Sequence, residues 1–222
     1  YRADPGQGTM ELYFAGRMRG FAALLLLVLS GPGTGHAQHH RSLPIDSLGA
    51  VWKDAPRPDT ARFQAMQEVL IQRMYSAPPD SLLALARQLV AFTHDRGMQR
   101  QEASAWNLTG IFHNNLSQWD SAEAAYLNSL RIWEALGERG RMAGCYNNLG
   151  NVAAYKGDQG RAIEYLTNSL RIGEEIGDSG TVARALGNIG VCHFEQKDYD
   201  AALDYYNRRI AVADAIGTLP LT

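Results

Sequence analysis

Two histidines, His113 and His193, stand eighty residues apart, and Cys145 and Cys192 are the only thiols in the chain. Histidine titrates near neutrality and ligates metals, and a thiolate can attack, oxidise or ligate. Their spacing argues against those uses. Eighty residues prove to be two repeat units, too far for one metal ion, so each histidine is read as filling an aromatic-like slot in a helix pair. The cysteines fall on neighbouring parallel helices, offset by about 10 Å along the axis and beyond disulfide reach. They are read as buried free thiols. His39-His40-Arg41 lies in a leader and is read as incidental to metal binding. No Gly-rich phosphate loop, zinc-spaced Cys/His set or G-x-S-x-G elbow is present. Acidic residues fall at solvent-like helix positions. No catalytic residue, metal ligand or cofactor is expected.

What positions the remaining residues is a repeat. Gly110, Gly150 and Gly190 recur at forty residues, as do Ala122, Ala162 and Ala202, and Gly137, Gly177 and Gly217. Three small-residue registers sharing one period signal a stacked solenoid. Each unit reads as helix, tight turn, helix, loop. In the middle unit the first helix is expected from about Arg141 to Lys156, the turn at Gly157-Asp158, and the second helix from Gln159 to Ile176. Gly150 and Ala162 would let the two backbones approach, with Tyr146, Leu149, Tyr165 and Leu166 filling the remaining space. Upstream, Phe63, Met66, Leu70 and Met74 predict a helix over 61–75. Pro78-Pro79 stops it, and Asp80 or Ser81 is the expected N-cap of the next helix. That pair forms a degenerate unit whose first helix lacks the glycine.

Composition fits this plan. The 222 residues are 45% apolar and 20% charged, which excludes a wholly disordered chain. A formal net charge of −2 offers no basic face for nucleic acid. Residues 1–37 read as an extension and signal peptide: Arg19, an apolar run over 21–29, then Gly35 and Ala37 at a cleavage site before Gln38. About ten apolar residues fall short of the roughly twenty that span a bilayer. The units then follow: a flexible leader over 38–60, the degenerate unit over 61–99, three units over 100–139, 140–179 and 180–217, and a tail over 218–222. Tyr199, Ala202, Leu203, Tyr206, Ile210 and Ala213 share one face of the last helix, broadened by Tyr205, Val212 and Ile216. That face and the uncapped tail are expected to continue into further sequence.

The units resemble the tetratricopeptide repeat in its forty-residue form. The middle one reads YNNLGNVAAYKGDQGRAIEYLTNSLRIGEEIGD, the next LGNIGVCHFEQKDYDAALDYYNRRIAVADAIG, and the first WNLTGIFHNNLSQWDSAEAAYLNSLRIWEALG. The signature positions are Gly110, Ala122 and Tyr126; Gly150, Ala162 and Leu166; and Gly190, Ala202 and Tyr206. Departures are Thr109 where leucine is usual, and Ser129, Ser169 and Arg209 in place of the final alanine. Similar units occur in kinesin light chains and bacterial signalling proteins. The resemblance implies an all-α solenoid of antiparallel helix hairpins, wound as a right-handed superhelix, whose first helices line a concave groove.

By that alignment the groove would be lined by Asn107, Leu108, Ile111, Asn114 and Asn115; by Asn147, Asn148, Asn151 and Tyr155; and by Arg184, Asn188, Val191 and Glu195. Asparagine both donates and accepts, and so can pair with peptide main chain. Asn148 and Asn188 take the place of an asparagine ladder in some relatives. The alternative for these asparagines is a turn-capping or solvated role. Arg184 is the one clear basic groove residue, and Arg131 and Arg171 are read as solvated charges on second helices. The resemblance implies a scaffold for a protein or peptide, the interaction region of an exported bacterial signalling protein. Alternatives are a free-standing periplasmic or secreted adaptor, or the regulatory region of a larger enzyme such as a histidine kinase or nucleotide cyclase. A membrane would be met only through a C-terminal continuation.

Overall fold

The computed structural model describes residues 44–217, and their regular structure is helical. The order is α1 (Ile45–Lys53), α2 (Asp59–Arg73), α3 (Pro79–Asp95), α4 (Gln99–Asn115), α5 (Trp119–Leu136), α6 (Arg139–Tyr155), α7 (Gln159–Ile176), α8 (Ser179–Glu195) and α9 (Tyr199–Gly217). The expected signal peptide, the first part of the leader and the tail over 218–222 lie outside the described residues.

α4/α5, α6/α7 and α8/α9 are antiparallel hairpins, each packed on the next, so the all-α solenoid is what the chain builds. The middle unit shows why. On α7, Ala162, Leu166, Ser169, Leu170 and Gly173 recur at helical spacing and are buried together. Asp158 caps its start, accepting from Arg161 N at 3.1 Å, and Gly177 ends it at φ 69°, a left-handed conformation that a Cβ would strain. α6 begins at Arg139, two residues before the expected start.

The recurring glycines make room for one large side chain. A Cβ on Gly150 would stand 2.6 Å from Leu166 Cγ and 3.2 Å from the Ala162 carbonyl oxygen. On Gly110 and Gly190 it would meet the rings of Tyr126 and Tyr206 at 2.5 and 2.7 Å. The expected backbone approach at Ala162 is present, but the nearest obstacle is the residue sixteen positions on.

The degenerate unit reverses this arrangement. Forty residues before Gly110 stands Leu70, fully buried, and before Tyr126 stands Ala86, 1% exposed. Bulk has moved from the second helix to the first. Leu82 replaces the alanine of the close approach as well, so α2 and α3 touch only over a short length. α1 fills the opening. Its Trp52 ring lies 4.7 Å from Phe92 on α3, and Arg62 on α2 sits over both rings and donates to the Trp52 carbonyl at 3.0 Å. The expectation of a flexible leader is therefore corrected over Ile45–Lys53: the splayed hairpin needs a third helix to close its core. Asp80 and Ser81 are not caps. Pro79 is the first helical residue and Pro78 the N-cap, consistent with the missing N–H and fixed φ of proline.

Among the first helices α6 touches α8, and side-chain hydrogen bonds link α4 to α6 and α6 to α8. The second helices are joined by long side chains, as where Arg161 on α7 reaches Glu123 on α5 at 2.8 Å. A stack whose first helices lie closer together than its second helices bends toward the first, which makes theirs the inner face.

Candidate functional site

Asparagine amides bridge the first helices. Asn148 Nδ2 on α6 donates to Asn107 Oδ1 on α4 at 3.0 Å, and Asn188 Nδ2 on α8 donates to Asn147 Oδ1 on α6 at 3.0 Å. The two bonds join residues 41 positions apart, one more than the repeat, because neighbouring first helices are staggered. All four side chains are half-buried. Among the described residues each pair keeps one amide NH₂ and one carbonyl oxygen unspent. Two rungs result, with the same polarity and one unit apart.

The row has defined ends. In the third unit Gly187 takes the place of Asn107 and Asn147, and Arg209 Cδ lies 3.1 Å from where its Cβ would be. In the first unit Leu108 stands where Asn148 and Asn188 stand. It is 4% exposed and packs in the core built around α2 and α3. Leu108 is therefore a core residue and not the groove residue the alignment implied.

The other expected residues surround the rungs in different ways. Ile111 and Val191 are half-buried. Asn151 is half-buried one turn after Asn147 and Asn148, while Asn115 and Glu195 are exposed. Asn114 is half-buried, and its Oδ1 is enclosed without a partner among the described residues. Tyr155 is 59% exposed, held by a stacking contact with Trp119 across the unit boundary, 5.0 Å between centroids. Arg184 donates to Thr181 Oγ1 at 2.9 Å, and that hydroxyl donates to Asp178 Oδ2 at 2.6 Å. Arg184 thus braces the start of α8.

Charge fixes the units beside this face. Lys156 at the end of α6 meets Asp120 at 2.7 Å and Glu123 at 2.8 Å, and Arg161 meets Glu123 at 2.8 Å. The hydrogen bond from Lys156 holds both carboxyls below their usual range and pushes the Lys156 ammonium up. Arg139 pairs with Glu175 and Arg100 with Glu138. His113 Nδ1 lies 2.6 Å from Gln118 Oε1, and His193 stacks on Tyr205 at 5.3 Å with Nδ1 3.4 Å from Asp198 Oδ2. His113 thereby ties its first helix to the turn that follows, whereas His193 Nδ1 is buried without a hydrogen-bond partner among the described residues.

The thiols lie inside the core. Cys145 donates to Ser129 Oγ at 3.4 Å, and Ser129 donates to the Ala103 carbonyl at 2.8 Å. Burial pushes both thiols up to about 11, where a nucleophilic thiolate is scarce at neutral pH. Among the described residues no three His, Cys, Asp or Glu side chains gather as a metal site would require.

The tetratricopeptide repeat profile matches residues 101–175 and 146–215, both windows falling on the hairpins just described. The chain belongs to the tetratricopeptide repeat family. No curated protein matches it. Among solved structures, BtubC (BKLC) from P. vanneervenii is 16% identical with a TM-score of 0.68, covering 80% of this chain and 73% of that one. The putative kinesin light chain TPR-like repeats from P. anserina are 12% identical at TM-score 0.64, over 79% and 86% of the two chains. A Rap protein solved in complex with competence and sporulation factor is 17% identical at TM-score 0.67, over 77% of this chain and 48% of its own. At these identities the likeness speaks for the fold alone. A tetratricopeptide fold is an interaction scaffold, and its first-helix face is where the asparagine rungs of this chain stand.

Proposed function

We propose that the first-helix face binds an extended peptide segment of a partner protein, gripping its main chain through the rungs Asn107–Asn148 and Asn147–Asn188. The observation that carries this reading is the half-made state of each rung. Each spends one donor and one acceptor on fixing its own orientation and keeps one of each, the complement of a peptide unit. Packed helices stand about 8–10 Å apart, and an extended chain advances about 3.3–3.6 Å per residue. Successive rungs would therefore meet main-chain groups about three residues apart. Side chains on the peptide would meet Tyr155, Asn151 and Val191 between and beside the rungs. A structural neighbour solved with a bound factor fits this use of the fold.

The test is selection of peptides from a random library on the folded chain, followed by affinity measurement on Asn148→Ala and Asn188→Ala. Losing a rung should weaken selected peptides by about tenfold, a typical worth of one to two buried polar contacts. Unchanged affinity in the double variant would reject the reading. The apolar run over 21–29 and the small-residue site at 35–37 support export, and with it the interaction region of a signalling protein or a periplasmic adaptor. Mass spectrometry finding Gln38 as the mature N-terminus of a fractionated sample would support export, and intact protein confined to the cytoplasm would exclude it.

A further inference from the structure

On the second-helix side, between α3 and α5, the chain carries a cleft of about 490 Å³ whose walls include Arg87, Val90 and Ala91 of α3, Trp106 and Thr109 of α4, and Arg131 of α5. Three departures from the repeat create it. Val90 stands where the later units have Leu130 and Leu170, and Thr109 stands where they have Leu149 and Ile189. In those units the larger side chains are buried in the cores that join one hairpin to the next. Shortening both opens space above the Trp106 indole. Thr109 does not pull the space toward polar ligands, because its hydroxyl already donates to the Ala105 carbonyl at 2.9 Å.

The third departure frees a charge. Arg171, the copy of Arg131, is tied to Glu175 at 2.5 Å, whereas the copy of Glu175 beside Arg131 is Ala135. Arg131 retains only a 3.4 Å contact with Asn128, and Arg87 has no polar partner among the described residues. Two uncommitted guanidiniums thus flank an apolar cleft. Two carboxylates also line the cleft. Asp95 is at the end of α3, and Glu102 is on α4, held by His94 at 3.0 Å. Arg87 lies two helical turns before His94, about 10 Å along α3, which sets it apart from those carboxylates. Arg131, two residues past the Ser129 that reaches the Ala103 carbonyl, instead stands level with Glu102 on the facing wall.

We propose that this cleft binds a small carboxylic acid with a bulky apolar body, the body against Trp106 and Val90 and the carboxylate on Arg87 and Arg131. The volume lies in the range of small-molecule sites, about 300–1,000 Å³, and guanidinium is the side chain that matches a carboxylate with paired donors. The site is separate from the asparagine rungs and does not depend on what they hold.

The experiment titrates the full chain with 3-phenylpropionate and follows amide and indole resonances by NMR. The expected result is saturable shifts at Trp106, Val90 and Ala91, with a dissociation constant of about 1 mM, as befits so small a probe. The uncharged amide, 3-phenylpropionamide, should bind about tenfold more weakly, and Arg87→Ala with Arg131→Ala should bring the acid down to the amide. Ala135→Glu, which supplies the partner Arg171 enjoys, should weaken the acid severalfold. Val90→Leu with Thr109→Leu restores the residues of the other units, and should abolish binding while the melting temperature holds or rises. Shifts centred elsewhere, equal binding of acid and amide, or undiminished binding in the refilled variant would each overturn the proposal. So would binding of N-acetyl-glycyl-phenylalanine without binding of the free acid, since the occupant would then be a peptide end.

Discussion

Gly150→Ala and Gly144→Ala are the same chemical change on one helix, α6, and they should move stability in opposite directions. At position 150 the new methyl would stand 2.6 Å from Leu166 Cγ, 2.9 Å from Leu166 Cδ2 and 3.2 Å from the Ala162 carbonyl. Carbon atoms in contact prefer about 3.5–4.0 Å, so the intrusion is about 1 Å, against a leucine with no exposed surface. Overpacking of this kind costs about 1–3 kcal/mol. Alanine in place of a helical glycine returns about 0.5–1 kcal/mol. The net expectation is a loss of about 1 kcal/mol. At position 144 nothing lies within 4 Å of the added Cβ, so the propensity gain of about 0.5–1 kcal/mol stands alone. Urea unfolding followed by circular dichroism reads both, provided the m-values agree. Leu166→Ala alone should cost about 2–5 kcal/mol through its cavity, and adding Gly150→Ala to it should cost nothing further. A Gly150→Ala variant as stable as Gly144→Ala, or a double variant whose losses simply add, would refute the packing argument.

The same assay checks three further pairs. Ser117 and Lys197 occupy the left-handed turn position that Gly157 holds in the middle unit, at φ 56° and 63° against 82°. Glycine at either should stabilise by about 1 kcal/mol, whereas Gly157→Ala should destabilise by a similar amount. Ser169 Oγ is buried without a partner among the described residues, whereas Ser129 Oγ is fully bonded. Ser169→Ala should therefore gain, and Ser129→Ala lose, about 1 kcal/mol; two losses would contradict the assignment. Glu123, held below its usual range chiefly by its hydrogen bond from Lys156, gives a pH test. A depressed folded pKa contributes stability above the unfolded value and loses it as pH falls through the folded one. The urea midpoint should therefore fall more steeply in the wild type than in Glu123→Gln as pH drops below about 4.5; parallel profiles would show that the pair contributes nothing.

The hairpins were legible because the constraint that makes them is local and repeated. In the three regular units a first helix lies against its second because one position lacks a Cβ, and that feature recurs as Gly110, Gly150 and Gly190. α1 was not legible for the converse reason. The nine residues of Ile45–Lys53, flanked by Pro44 and followed closely by Pro56, carry too short an apolar pattern to outweigh the prolines, and the force that holds them is remote. It comes from Phe92 and Arg62, which are exposed to Trp52 only because Leu70 and Leu82 splay the hairpin behind them. A large residue at a glycine position is therefore information about a helix elsewhere in the chain.

The asparagine rungs teach the same lesson about register. Alignment at forty residues sets Asn107 beside Asn147, and Asn148 beside Asn188, and each column reads as a row of independent side chains facing a groove. The bonds cross the columns, from Asn148 back to Asn107 and from Asn188 back to Asn147, because staggered helices bring unlike positions together. Leu108 then follows as a consequence. The α4 residue at the donor position has no asparagine behind it on α2, whose copy of Asn107 is Gln67, and it faces the enlarged core of the splayed unit. Leu108 instead fills that core at 4% exposure, so the row of rungs begins where the regular stacking begins.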